Sequence, residues 1–172
     1  LNAKTTEAHA MAFEHRSVLL DEAVAALAPR PGGVYVDCTL GGGGHSEALL
    51  EATGPDGRIL GIDRDPRAIA AAAERLVRFG ERFEAVPGSF GDLERILADR
   101  GLDAVDGVLA DLGVSSPQLD DASRGFSFRE DGPLDMRMGP GILQSAADLV
   151  NEASREELAR ILREYGEERK AW

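Results

Sequence analysis

Val34-Tyr35-Val36-Asp37-Cys38-Thr39-Leu40-Gly41-Gly42-Gly43-Gly44-His45-Ser46 is a β-branched and aromatic run that ends in an aspartate and four consecutive glycines. Val34–Val36 reads as a strand. His45–Ala52 reads as a helix, stopped by Thr53-Gly54-Pro55-Asp56-Gly57. A strand, a glycine loop and a helix start form the context in which unpaired backbone N–H groups and the helix dipole face a ligand. The glycines let the backbone approach that ligand closely and adopt positive φ. The spacing does not fit the dinucleotide fingerprint G-x-G-x-x-G/A. Counting from Gly41 and Gly43, the third position is Ser46; counting from Gly42 and Gly44, it is Glu47. Asp37 at the strand end suits a ligand carrying an ammonium and a sulfonium better than it suits a pyrophosphate. The plain alternative is a glycine-rich turn with no ligand.

Working outward, strands and helices alternate. Val18–Ala28 has helical spacing and ends before Pro29. Arg58–Asp63 is a second strand, and the helix after it runs from about Arg67 to Phe79 behind Pro66. Phe83–Val86 is a third strand, Asp92–Arg100 a helix closed by Gly101, and Val105–Asp111 a fourth strand. Such alternation implies βαβ units, a parallel sheet and right-handed crossovers. From Leu112 to Gly141 the chain is rich in Gly, Ser, Asp and Pro with no clear strand, and Ser145–Asn151 and Arg155–Tyr165 read as helices.

The 172 residues carry 19 Lys+Arg against 31 Asp+Glu, a net charge of −12, which argues against a binder held to nucleic acid mainly by phosphate contacts. An enzyme that meets RNA through one local basic face stays open. A single cysteine, Cys38, rules out an intrachain disulfide and a cysteine-built metal site, and no metal is expected. It reads as a small buried apolar side chain. No apolar stretch is long enough for a membrane span, so the expected compartment is the cytoplasm, without a membrane partner. Residues 1–12 read as a leader or extension, with Met11 as the natural start.

Asp63 ends the second strand 22 residues after Gly41, where an acidic side chain can accept both ribose hydroxyl protons. Asp65, beside Pro66, suits the start of the next helix instead. Phe90, just past the third strand, either stacks on an adenine or anchors the following helix in the core. Asp111-Leu112-Gly113-Val114-Ser115-Ser116-Pro117 ends the fourth strand. Methyl transfer to an exocyclic amine needs the amine held in line with the methyl–sulfur bond and an acceptor for its N–H. Asp111 is the candidate for that acceptor, with Ser115 and Ser116 as substrate contacts; the alternative is a Ser-Pro turn capped by Asp111. Arg124, Phe126, Phe128 and Arg137 lie in a turn-rich segment that mixes aromatics, arginines and carboxylates. The phenylalanines could stack an unpaired base and the arginines hold phosphate. Spacing alone favours a self-packed loop with Arg–Asp pairs.

Together, His15-Arg16-Ser17-Val18-Leu19-Leu20, the Asp37–Ser46 loop, Asp63-Arg64-Asp65-Pro66, Asp111–Asp120, Arg124-Gly125-Phe126-Ser127-Phe128, Gly132–Met138 and Tyr165-Gly166-Glu167-Glu168 resemble the RsmH (MraW) family. The resemblance implies S-adenosyl-L-methionine as cofactor and a Rossmann-like class I methyltransferase fold. It implies methylation of the N4 amine of one cytidine in the 16S ribosomal RNA of the small subunit, in the decoding centre. It adds Gly44, His45, Ser46 and Gln118 to Asp37, Gly41, Gly43, Asp63, Phe90 and Asp111 as cofactor contacts. It places residues 13–113 in the cofactor domain and residues 114–172 at the start of a helical substrate-recognition insertion, and it turns the Arg124–Met138 segment toward function. A homodimer is compatible with it. The family's chain is longer and its later part completes the sheet, so the four strands here read as an incomplete one. Two other readings stand beside it: transfer to DNA amines or a small molecule, and a chain that binds cofactor without turnover.

Overall fold

The computed structural model describes residues 17–139 and 141–171, apart from the side chains of Ser116 and Pro117. The expected leader and His15 lie outside the described residues.

Four strands form one parallel sheet: β1 (Val34–Asp37), β2 (Arg58–Asp63), β3 (Phe83–Pro87) and β4 (Gly107–Leu109), in the order β3-β2-β1-β4. The register pairs Val36 with Leu60 and with Val108, and Asp63 with Pro87. Side-chain alternation splits the core in two. Val36, Cys38, Leu60, Ile62 and Val86 face one side and meet Ile96 of α4 (Leu93–Ala98). Tyr35 and Ile59 face the other side and meet Leu49 and Leu50 of α2 (Gly44–Ala52) and Leu76 of α3 (Pro66–Leu76). Val24 and Leu27 of α1 (Leu20–Leu27) pack on this second cluster. Helices on both faces of a parallel sheet make a doubly wound, Rossmann-like arrangement. The chain moves from one face to the other between β3 and β4, so the topological switch point falls between the neighbouring strands β1 and β4.

Ion pairs fasten α3 and the turn that follows it to α2, with Arg75 2.6 Å from Glu47 and Arg78 2.5 Å from Glu51. Asp65 caps α3 by accepting the Arg67 N–H at 2.9 Å, with Pro66 at the first turn. The helix stops at Leu76, earlier than its spacing suggests. The chain tightens into a 3-10 turn over Val77–Arg82, where Gly80 takes φ 56.

The fourth strand is shorter than the expected Val105–Asp111. Beyond Leu109 its neighbour β1 has already turned into the glycine loop. The Asp111 N–H therefore donates to the Thr39 hydroxyl at 2.8 Å rather than to a strand carbonyl. Among the described residues β4 is an edge strand, and Val108 on its α4 side is 44% exposed. Past β4 come the short α5 (Ser116–Asp120), a 3-10 turn at Ala122–Arg124, then α6 (Ala146–Glu152) and α7 (Arg155–Glu164). Ser145 and Asp148 form a capping box at the start of α6, and Ser154 caps α7. No described helix is long and apolar enough to cross a membrane.

Candidate functional site

The carboxyl ends of the strands share one edge of the sheet, where ligands bind in doubly wound folds. The glycine loop after β1 is shaped by backbone demands. Gly41 has φ 50 and Gly43 has φ 79. A Cβ on Gly43 would come within 3.1 Å of Leu76 and 3.2 Å of Ala72, so the loop can lie on α3 only without a side chain. Gly41 is open instead: among the described residues only the Thr39 carbonyl would lie within 4 Å of a side chain there, at 3.8 Å. Gly44 starts α2 next to Ser17. The Leu40 N–H continues the pairing to the Ile62 carbonyl at 3.0 Å, which holds the loop over the end of β2.

Two carboxylates organise this loop in different ways. Asp37 is fully buried; one oxygen accepts the Ser46 hydroxyl at 2.8 Å and the other the Thr39 N–H at 3.1 Å. Burial pushes its carboxyl above the usual range, and the two hydrogen bonds offset part of that. The negative charge of Asp63 pushes in the same direction as burial. Asp37 and Ser46, both expected to contact a ligand, thus face each other inside the loop and offer no exposed atom to the crevice. No single spacing rule in the sequence tells that a nine-residue separation closes this buried Asp–Ser bond. His45 is also buried, and its Nε2 lies 3.3 Å from the Val18 carbonyl, tying the loop to the segment before α1.

Asp63 sits at the end of β2 and is only partly buried. Its Oδ2 accepts the Gly41 N–H at 2.9 Å and its Oδ1 the Asp65 N–H at 2.9 Å. Each carboxylate oxygen has a further lone pair, so the two can still accept ligand hydroxyls. Phe90 opens a 3-10 turn after β3 and is 49% exposed. Of its two sequence readings, anchoring the core does not match this position. Asp111 is exposed, its backbone held by Thr39 across the switch point. Gln118 uses its side-chain oxygen to accept the Ser115 N–H at 2.9 Å, closing the start of α5. Ser116 lies in α5, and its side chain is outside the described part of the structure.

The segment after α5 folds back on the turn between β2 and α3. Arg124 donates to Asp65 at 2.6 Å and to the Arg137 carbonyl at 3.1 Å. Arg137 forks onto Asp135 at 2.9 and 2.6 Å, which brings the Asp135 carboxyl down to about 2. The two arginines expected to hold phosphate thus both face aspartates, Arg124 in a largely buried pair and Arg137 in an exposed one. Phe126 is partly buried, whereas Phe128 is fully exposed. The structure thus brings Gly41, Asp63, Phe90 and Asp111 to one edge, turns Asp37, His45 and Ser46 inward, and leaves Phe128 exposed. Sequence reasoning missed the function of Thr39, whose hydroxyl joins the loops after β1 and β4; a hydroxyl two residues past a strand end was the only available signal.

A cofactor with a ribose, an aromatic base and a positive charge fits these residues. Asp63 offers acceptors for a diol, Phe90 an exposed ring and Asp111 an exposed carboxylate; the open Gly41 lets the chain approach closely. The acidic edge favours a cation over a pyrophosphate.

The MraW methylase family matches residues 12–172 of this chain. A protein of Geobacter sulfurreducens named ribosomal RNA small subunit methyltransferase H is 60% identical over 159 residues, covering 92% of this chain and 51% of that protein. Its namesake in Symbiobacterium thermophilum is 53% identical over 159 residues, covering 92% and 50%. The chain spans about half the length of the curated relatives it matches. Among solved structures, the C-terminal domain of precorrin-6Y C5,15-methyltransferase from Rhodobacter capsulatus aligns with a TM-score of 0.46 and 28% identity, over 59% of this chain and 52% of that one. Aeropyrum pernix fibrillarin, solved with natively bound S-adenosyl-L-methionine, aligns with a TM-score of 0.43 and 23% identity, over 59% and 43%.

Proposed function

Because the chain belongs to the MraW methylase family, we propose that it carries the cofactor-binding part of an S-adenosyl-L-methionine-dependent methyltransferase acting on the N4 amine of a cytidine in 16S ribosomal RNA, in the decoding centre of the small subunit. The observation that carries this reading is the convergence of Asp63, Phe90 and Asp111 on one sheet edge around the Gly41–Gly44 loop. S-adenosyl-L-methionine supplies, when bound, a methyl group on a positively charged sulfur. The residues here do the rest. Asp63 accepts the ribose hydroxyls with the lone pairs that Gly41 and Asp65 leave free. Phe90 covers one face of the adenine. The glycine loop and the start of α2 line the methionine end, and Gln118 stands beside it on α5.

Asp111 accepts an N–H of the target amine, which raises electron density on the nitrogen and stabilises the positive charge that develops there. After transfer the same carboxylate takes the extra proton toward solvent. No covalent enzyme intermediate is needed. Phe128, the exposed aromatic of the segment after α5, is the candidate for stacking on an unpaired base. Asp37 and Ser46 contribute by shaping the loop. The cytoplasm, where ribosomes are assembled, is the compartment this reading implies.

Calorimetry with S-adenosyl-L-methionine, then methylation of small ribosomal subunits, DNA and free nucleosides, tests the reading. Transfer to DNA alone, or an absence of cofactor binding, refutes it. Binding without turnover supports the cofactor site and assigns the missing catalysis to the part of the relatives that this chain does not span.

A further inference from the structure

Arg124 lies at the centre of a connected set of polar contacts that reaches the cofactor crevice. Its side chain and that of Asp65 are 15% and 13% exposed, with 2.6 Å between nitrogen and oxygen. Burial alone would raise the Asp65 carboxyl. The hydrogen bonds from Arg124 and the Arg67 N–H, with the charges of both arginines, outweigh it and hold Asp65 below its usual range. The Asp65 N–H in turn donates to Asp63, and the other oxygen of Asp63 accepts from Gly41. The path thus runs from the Arg137 carbonyl through Arg124, Asp65 and Asp63 to the glycine loop. Two more contacts dock the same segment on the same turn. Asp121 pairs with Arg67 at 3.0 Å. Gly139 lies so close to Arg64 that a Cβ there would come 2.9 Å from the Arg64 carbonyl oxygen. Phe128 is carried on the stretch between these anchors.

We propose that Arg124 is a positioning residue: it fixes Asp63 through Asp65 and couples occupation of the cofactor crevice to the order of the segment that bears Phe128. This rests on the reading of Asp63 as the ribose ligand. Without the guanidinium, Asp63 and Asp65 would stand on one turn as two carboxylates, the largely buried Asp65 left with the Arg67 N–H at 2.9 Å and the more distant Arg67 guanidinium at 3.8 Å. The turn then has to shift or take up a proton, and the rotamer that presents Asp63 to a ligand is no longer held. Linkage makes the effect reciprocal: if the docked segment favours ligand binding, bound ligand favours the docked segment by the same factor. A surface ion pair with a local structural role does neither.

The test uses Arg124→Met, Arg124→Lys, Asp65→Asn and the Arg124→Met/Asp65→Asn double variant of this chain. The asparagine keeps the acceptor that caps α3 and so guards against simple unfolding. S-adenosylhomocysteine is the probe, read by calorimetry, with amide hydrogen exchange over residues 125–135 in its presence and absence. Each single removal of the pair is expected to weaken binding by about tenfold, the scale of one charge-assisted hydrogen bond. The double variant should be no weaker than the weaker single one, and Arg124→Lys should recover part of the loss. Ligand should slow exchange over 125–135 in the unsubstituted chain and not in Arg124→Met. Absence of binding by the unsubstituted chain overturns the cofactor reading itself. Binding that stays within about twofold in every variant, or ligand that leaves exchange over 125–135 unchanged in the unsubstituted chain, overturns the role of Arg124 alone.

Discussion

Asp37→Asn separates two roles that one carboxylate at the end of β1 can have. Asp37 is fully buried, with one oxygen 2.8 Å from the Ser46 hydroxyl and the other 3.1 Å from the Thr39 nitrogen. Asparagine has the same shape. Its oxygen can keep the Thr39 N–H while its amide donates to the Ser46 oxygen, leaving the Ser46 proton to find another acceptor. The loss of about 1 kcal/mol for that exchange is opposed by removal of a buried charge. Net stability near neutral pH should therefore stay within about 1 kcal/mol of the unsubstituted chain. Asp37→Ala has no such compensation: it strands a buried hydroxyl and a buried N–H, at about 1–3 kcal/mol each.

The pH dependence carries the sign. Burial raises the folded carboxyl above its unfolded value, so the folded state holds this proton longer. Between the unfolded pKa of about 3.9 and the raised folded value, stability falls as pH rises, by at most about 1.4 kcal/mol per pH unit. Asp37→Asn lacks that loss. Urea denaturation of both proteins over a pH series should show the asparagine variant gaining on the original as pH rises from about 4. Cofactor affinity, measured in parallel by calorimetry, should change by less than about threefold. A direct bond from Asp37 to a cofactor ammonium would instead cost about 1.5–3 kcal/mol, tenfold or more. A tenfold loss of affinity in a normally stable Asp37→Asn refutes the loop-shaping role, and a pH-independent stability difference refutes the raised carboxyl.

Three further outcomes follow from the same geometry. Asp63→Ala should weaken cofactor binding by about 1.5–3 kcal/mol, and an unchanged dissociation constant removes Asp63 from the site. Gly43→Ala should destabilise the fold by at least about 1–2 kcal/mol in thermal or urea unfolding, because φ is 79 and the new methyl meets Leu76 and Ala72 at 3.1 and 3.2 Å. Phe128→Ala should leave stability within about 0.5 kcal/mol, since the ring is fully exposed. If Phe128 stacks on a base it should also reduce RNA affinity by about 1–3 kcal/mol, measured by filter binding or anisotropy.

The alternation of elements was legible in the sequence because each element is decided locally. Period-two and period-3.6 patterns fix strand and helix, and Pro66, Gly101 and the glycine loop punctuate them. Boundaries were less legible where a neighbour decides them. The fourth strand stops at Leu109 because β1 has turned away, and nothing in Val105–Asp111 itself records that. Within the site, Gly41, Asp63 and Asp111 announce themselves by position at strand ends. The orientation of a side chain there is another matter. Asp37 and Asp63 both close strands, yet one is enclosed by α2 and the other stays at the crevice.

The parallel α/β unit, the glycine loop between β1 and α2, and the set of acidic residues at the strand ends are all written in the linear chain. These depend on backbone preferences and short-range spacing, which a linear chain carries in full. Long-range packing set the strand order that puts the switch point between β1 and β4, and with it the Thr39–Asp111 bond that joins the two loops. It also decided that Arg124 serves Asp65, 59 residues away, rather than standing free for phosphate. A charged side chain takes whichever opposite charge the fold brings within reach and shields from water, and that choice is made in space.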